Sequence, residues 1–282
     1  MPKVAVVTDS TAYIPKPLLE QYHISVGPQV LIWGSETFED GVDIQPVEFY
    51  RRLEKATVMP TSSQVSIPSF KRIFGELVAQ GYDILAVLIS SKFSGTIGSA
   101  GQAKAMYPEA NIEIFDSQST AMALGFQALA AARAAQAGAS LAECRAVAEQ
   151  ARQNSGVLVC VDTLEFLHRG GRIGGAQRFL GTALNLKPIL EVVDGKLEAV
   201  ERVRTRRKAH SRLIELAEER IGNRSPVHLS VIHANAAEDA RPVMEEAVTK
   251  FNPIETVFSD VSPVIGTHVG PGTVAICYLA GM

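Results

Sequence analysis

The chain has 282 residues, 46% of them hydrophobic and 20% charged, and a formal net charge of −3. The length exceeds what one small domain needs, the composition excludes a disordered chain, and the missing basic excess argues against a dedicated nucleic-acid binder. Three cysteines without C-x-x-C spacing, Cys144, Cys160 and Cys277, read as core thiols in a reducing compartment.

The first predicted element is a strand, "VAVVTDS" (4–10), with no basic and apolar leader ahead of it, so no export signal is visible and a cytoplasmic location is expected. A helix pattern "PKPLLEQY" (15–22) follows, then a strand "ISVGPQVLIW" (24–33) and two helices, "PVEFYRRLEKA" (46–56) and "IPSFKRIFGELVAQG" (67–81). Strands "ILAVLIS" (84–90) and "NIEIFDS" (111–117) come next. The most apolar long segment, 121–139, is Ala-rich and carries Arg133, which suits a buried helix better than a membrane span. Strands alternating with helices, the strands near-continuous in Val, Ile and Leu, predict a parallel sheet covered on both faces.

After a helix at 140–154 the texture changes. A strand at 156–163 leads to a hairpin over 188–203, turning at Asp194-Gly195. A helix over 207–222, a strand over 227–234, another helix and two further strands, "IETVFSDVS" and "TVAICYLAG", complete a second α/β unit with a mixed sheet. The reading is an α/β chain of two domains, 1–164 and 165–282, with no integral membrane segment.

Three strands of the first half end alike, in "TDST" (8–11), "SSKFSGT" (90–96) and "DSQST" (116–120). Carboxyl ends of parallel strands share one edge, where ligands of open α/β sheets bind, so the tips are expected to converge. Each precedes a helix, whose N-terminus offers N–H groups and a positive dipole end to an anion. Ser, Thr and Asp are also favoured N-caps, so capping explains any one tip alone. Three together, with Gly95 and Gly98 permitting close backbone approach, favour an anion site. In a fourth polar cluster, "PTSSQVS" (60–66), Ser66 reads as a cap ahead of Pro68.

Other chemistries find little support. "GGRIGG" (170–175) lacks P-loop spacing, "GPGTVA" (270–275) stands too close to the end to open a βαβ unit, and no G-x-S-x-G surrounds Ser94. The six histidines form no H-x-x-x-H pair, so no metal site is expected. His268, in a Gly/Pro-rich stretch read as a loop, could reach a bound anion. Basic residues gather in "LHRGGRIGGAQR" (167–178) and "ERVRTRRKA" (201–209), which read as a solvated face or as a docking surface for a phosphate-bearing or acidic partner.

The chain resembles the DegV family of bacterial fatty-acid-binding proteins. The motifs are "VTDST" (7–11), "TSSQVS" (61–66), "SSKFSGT", "DSQST", "LEFLHRGGRI" (164–173), "LNLKPIL" (184–190) and "IGTHVGPG" (265–272), in order along nearly the whole sequence. The resemblance implies an N-terminal three-layer parallel-sheet domain and a C-terminal α/β domain with one long-chain fatty acid, such as palmitate, between them. It also implies a binding subunit without catalytic residues, metal or cofactor, which carries the acid to a separate ATP-binding kinase subunit related to dihydroxyacetone kinases. By position the carboxylate ligands would be Thr61 and Ser62, Ser94 with the N–H of Gly95, and His268. Arg169, Arg172, Arg202 and Arg204 would meet the partner or its phosphates. The family's T-S-Q-P is written Ser62-Ser63-Gln64-Val65 here, which leaves both Thr61 and Ser62 open as the contact. The competing reading is an enzyme acting on a small phosphorylated substrate at the same anion site.

Overall fold

The computed structural model describes residues 3–181 and 186–282; Leu184 and Asn185 of the "LNLKPIL" motif lie outside the described residues. Strand β1 (Val4–Asp9), buried along its whole length, leads through a short 3-10 turn to α1 (Lys16–Gln21). The run predicted as one strand over 24–33 is two: β2 (Ser25–Gly27) and β3 (Val30–Trp33) belong to different sheets. Pro28 between them has no N–H to give a ladder, and the chain changes sheet there. β3 pairs antiparallel with β4 (Glu36–Glu39) and, beyond α2 (Pro46–Leu53), with β5 (Thr61–Ser63), a small sheet that the sequence did not announce.

The chain then runs through α3 (Ile67–Ala79), β6 (Asp83–Leu88), α4 (Thr96–Lys104) and β7 (Ile112–Asp116). Ser66 caps α3 by accepting from the Ser69 N–H, as expected. The first main sheet has the order β2-β1-β6-β7, all parallel, so the three polar tips do emerge at one edge. Next come α5 (Ala121–Gln136) and α6 (Leu141–Asn154), the latter opened by a reciprocal Ser140/Glu143 capping box.

Strand β8 (Ser155–Cys160) precedes the expected division at 164/165 yet pairs with strands of the second sheet. After α7 (Glu165–Arg169) come the hairpin β9 (Lys187–Val193) and β10 (Lys196–Val203), α8 (Arg206–Ile221), β11 (Val227–His233), α9 (Ala237–Phe251), β12 (Glu255–Asp260), α10 (Pro263–Val269) and β13 (Val274–Ala280). The second sheet is mixed, in the order β10-β9-β8-β13-β11-β12.

Helix α5 lies between the two sheets, touching β1 and β6 on one side and β8 and β13 on the other. This explains its composition: nearly every residue from Ala121 to Ala132 is buried, and small alanines let both sheets approach a helix that is apolar all round. Helices α3 and α4 cover the far face of the first sheet, and α8 and α9 that of the second. The result is a five-layer α/β/α/β/α stack with α5 and α6 as its shared middle layer. All three cysteines are free and buried.

Candidate functional site

The polar edge of the first sheet faces the second sheet beside the N-terminus of α5, and a cavity lies between them. Its non-atom space is about 950 Å³, part of it open to solvent. Its walls are mainly aliphatic: Val157, Val159, Ile232 and Ala275 from the second sheet, Val192 and Leu197 from the hairpin, and Val264, Ile265 and Val269 from α10, with Ile89 and Phe93 opposite. The polar groups of the lining come mainly from the first-sheet tips and from Ser62, His268 and Arg172, with Thr273 of the second half among them.

In that lining Ser62 Oγ lies 2.6 Å from His268 Nε2. Burial, and then the positive charge of Arg172, push the imidazole down to about 4, so the ring is neutral at physiological pH. His268 Nδ1 is buried without a hydrogen-bond partner among the described residues. An orphaned N–H is the costlier arrangement, which places the proton on Nε2. His268 then donates to Ser62 Oγ, and the Ser62 hydroxyl hydrogen is left to point at an anion. Gly170 makes room for this ring: a Cβ there would stand 2.1 Å from His268 Nδ1.

Ser94, on the loop after β6, sits 2.9 Å from Thr96 Oγ1, accepts from the Thr96 N–H at 3.3 Å, and lies 3.5 Å from Gln29 Oε1. Gln29 in turn donates to Thr96 Oγ1 and, at 3.4 Å, to the buried Asp9 carboxylate. Asp9 accepts from the Thr11 hydroxyl and N–H and from the Ile89 N–H; burial outweighs these bonds and raises its pKa.

The expected site residues therefore separate. Ser62, Ser94 and His268 all line the cavity, Ser62 and His268 in direct contact, and the lining does not include Thr61 or Gly95. Thr61 is exposed and faces a second cavity of about 740 Å³ outside the Ser62–His268 pair, which Arg169, Phe166 and Thr267 also line. Gly95 is the exposed N-cap of α4, against the Gln64 side chain. Arg172 borders both cavities; its guanidinium donates to the carbonyls of Phe93 (3.1 Å) and Gly170 (2.8 Å). Arg169 pairs with Glu165, Arg202 stacks on Phe179 at 4.8 Å, Arg204 is exposed, and the last two line neither cavity. His268 stands on a helix rather than on the expected loop, because Ser262-Pro263 supplies an N-cap position and Pro at the first turn. In the third tip Ser117 donates to the Ser119 carbonyl and Asp116 accepts from Ser91, whereas Thr120 lines the cavity with its buried hydroxyl unpartnered among the described residues. Sequence reasoning missed Gln29, Arg172 as a wall residue, and Asp40, described below.

Among the described residues, no group of three or more His, Cys, Asp or Glu is arranged to hold a metal, and no helix is long and apolar enough to cross a membrane.

A family model described as "Uncharacterised protein, DegV family" matches residues 3–281. Protein DegV of Bacillus subtilis is 38% identical over 277 residues, with 98% of each chain covered. Among solved structures, a fatty-acid-binding DegV family protein from Thermus thermophilus superposes with a TM-score of 0.93 at 31% identity, covering 99% of both chains. Bacillus subtilis DegV, described as a fatty acid binding protein, gives 0.90 at 36% identity, covering 99% of this chain and 100% of that one. By its five-layer fold and by these matches along its length, the chain belongs to the DegV family.

Proposed function

We propose that this protein binds one long-chain fatty acid in the inner cavity, its carboxylate at Ser62, Ser94 and His268 and its tail along the aliphatic walls, and presents it to a separate ATP-binding kinase in the cytoplasm. The observation that carries the reading is the make-up of the cavity wall: mostly aliphatic side chains, with a few hydroxyls, the Ser62–His268 pair and Arg172 as its polar groups. A small phosphorylated substrate would find few partners along such walls. Similarity to fatty-acid-binding relatives supports the same ligand.

Magnitudes divide the labour. Burying about fourteen methylenes at about 0.8 kcal/mol each contributes on the order of 10 kcal/mol gross, so the tail supplies affinity. A carboxylate left unpaired out of water would cost several kcal/mol, so the head group's donors cancel a penalty and fix which way the lipid lies. The outer cavity, with Arg169 and Arg172 at its rim, supports phosphoryl transfer there. A carboxylate oxygen would attack the γ-phosphorus of ATP, the bond to the bridging oxygen would break, and acyl phosphate and ADP would result. The proposed ligand contacts come from both sides of the expected 164/165 division, which supports a site between the two halves.

Mass spectrometry of an organic extract of the purified protein tests the ligand. A long-chain fatty acid in about one-to-one ratio is expected. Absence of lipid, with no binding of added fatty acid, overturns the reading.

A further inference from the structure

Asp40, just after β4, is 2% exposed and has no cation against it among the described residues. The charged and titratable groups facing it are Asp9, Tyr13 and Tyr50, with Asp260 beyond Tyr50. Only dipoles hold its carboxylate. Oδ2 accepts from the Ser10 hydroxyl at 2.7 Å, and Oδ1 accepts from the Val264 N–H at 3.3 Å. The Ser262 side chain also favours the charged form. Both serines are turned toward Asp40 by bonds that they accept: Ser10 Oγ from the Gln29 N–H at 3.1 Å, Ser262 Oγ from the Tyr13 hydroxyl at 3.3 Å. Each hydroxyl then has its own hydrogen left for the carboxylate.

These partners lie on two elements that meet at the head-group end. Ser10 closes β1 and leads through Gln29 to Ser94; Val264 and Ser262 open α10, which carries His268 one turn further on. We propose that ionised Asp40 is the positioning residue for His268: it seats the start of α10 against the tip of β1, so that the imidazole reaches Ser62. The inference rests on the fatty acid reading above for its functional consequence. Burial raises the Asp40 pKa to about 6, so the fold carries the charged form at neutral pH against its own electrostatic preference. Neutralising the side chain should thus relieve the fold while loosening the head site.

The test is Asp40→Asn, which keeps shape and removes charge, measured against the wild type with a C16 fatty acid from about pH 8 to about pH 5.5. The ligand's own titration is common to both and cancels in their ratio. Affinity of the variant should be about tenfold lower at the alkaline end and should converge on the wild type at the acid end, as Asp40 takes up its proton. The variant should keep or raise its melting temperature at neutral pH, whereas a merely structural residue would lower it. Equal affinity at every pH, a parallel loss at every pH, or tighter binding by the variant overturns the proposal. If the Asn variant does not fold, Ser10→Ala removes one donor to the charged form and should move the wild-type midpoint to higher pH; an unmoved midpoint has the same meaning as equal affinity. If the wild type binds no fatty acid, the ligand reading fails on its own. The imidazole nitrogen signals of His268 in lipid-free protein still decide the positioning role: they should follow the Asp40 titration in the wild type and lose that step in Asp40→Asn.

Discussion

Gly170 shows how a residue without a side chain determines what its neighbour can do. A methyl group there would meet His268 Nδ1 at 2.1 Å, so Gly170→Ala must displace the ring from Ser62. Losing the Ser62–His268 arrangement should weaken fatty acid binding by about tenfold, the scale of one hydrogen bond to a charged group. Titration calorimetry would check this, and unchanged affinity would place the carboxylate elsewhere. His268 also marks the pH profile of stability. Its ordinary pKa of 6.5 falls to about 4 in the fold, so unfolding lets it gain a proton. Its contribution is present above 6.5 and is lost as pH falls toward 4, and His268→Gln should flatten the stability profile in that window. Ser62, Ser94 and His268 were legible because hydroxyl-rich strand ends and a recurring family motif carry them. Asp40 and Gln29 were not: a buried acid held by hydroxyls and a buried amide have no spacing pattern, and their partners are distant in sequence.

At the scale of elements, the β9–β10 hairpin couples the two halves. Its turn has Asp194 at φ 48° and Gly195 at φ 80°, the positive values that a two-residue turn of this hand needs. Lys92 Nζ donates to the Asp194 carbonyl at 2.6 Å and Ser90 Oγ to the Gly195 carbonyl at 2.7 Å. Both donors sit on the loop that carries Ser94, while Val192 and Leu197 on the flanking strands wall the cavity. Gly195→Ala would put a Cβ 2.4 Å from Ser90 Oγ at a positive φ. We expect it to destabilise the protein by about 1–2 kcal/mol in urea unfolding and to weaken lipid binding in parallel. A fully stable variant would mean that the hairpin tip is free to move away. The hairpin was readable from Asp-Gly between apolar runs, and most helices from their periodicity and caps. The three-stranded sheet was not, because its strands are three or four residues long and Gly27-Pro28 was the one available sign of a break in the 24–33 run.

At the scale of the molecule, Arg133 on α5 reaches across to Glu255 on β12 at 2.8 Å, and Glu255 also meets His228 at 2.7 Å. A lipid held as proposed would add a second set of contacts between the same halves. Fatty acid at a hundred times its dissociation constant should stabilise the protein by about 2.7 kcal/mol, raising the melting temperature by roughly 5 °C or more. Calorimetry of stripped and reloaded protein would measure this. An unchanged transition would mean that the lipid does not reach the interior.

The middle layer has a consequence for exchange. Because α5 belongs to both sandwiches and the cavity takes its walls from each, cargo cannot be shed by swinging one half away like a door without tearing the helix from a sheet. On the fatty acid reading, exchange would pass between the inner and outer cavities, both of which Ser62 lines, or by a brief breathing of the seam. The rate at which a labelled acid leaves therefore gauges how often that seam opens.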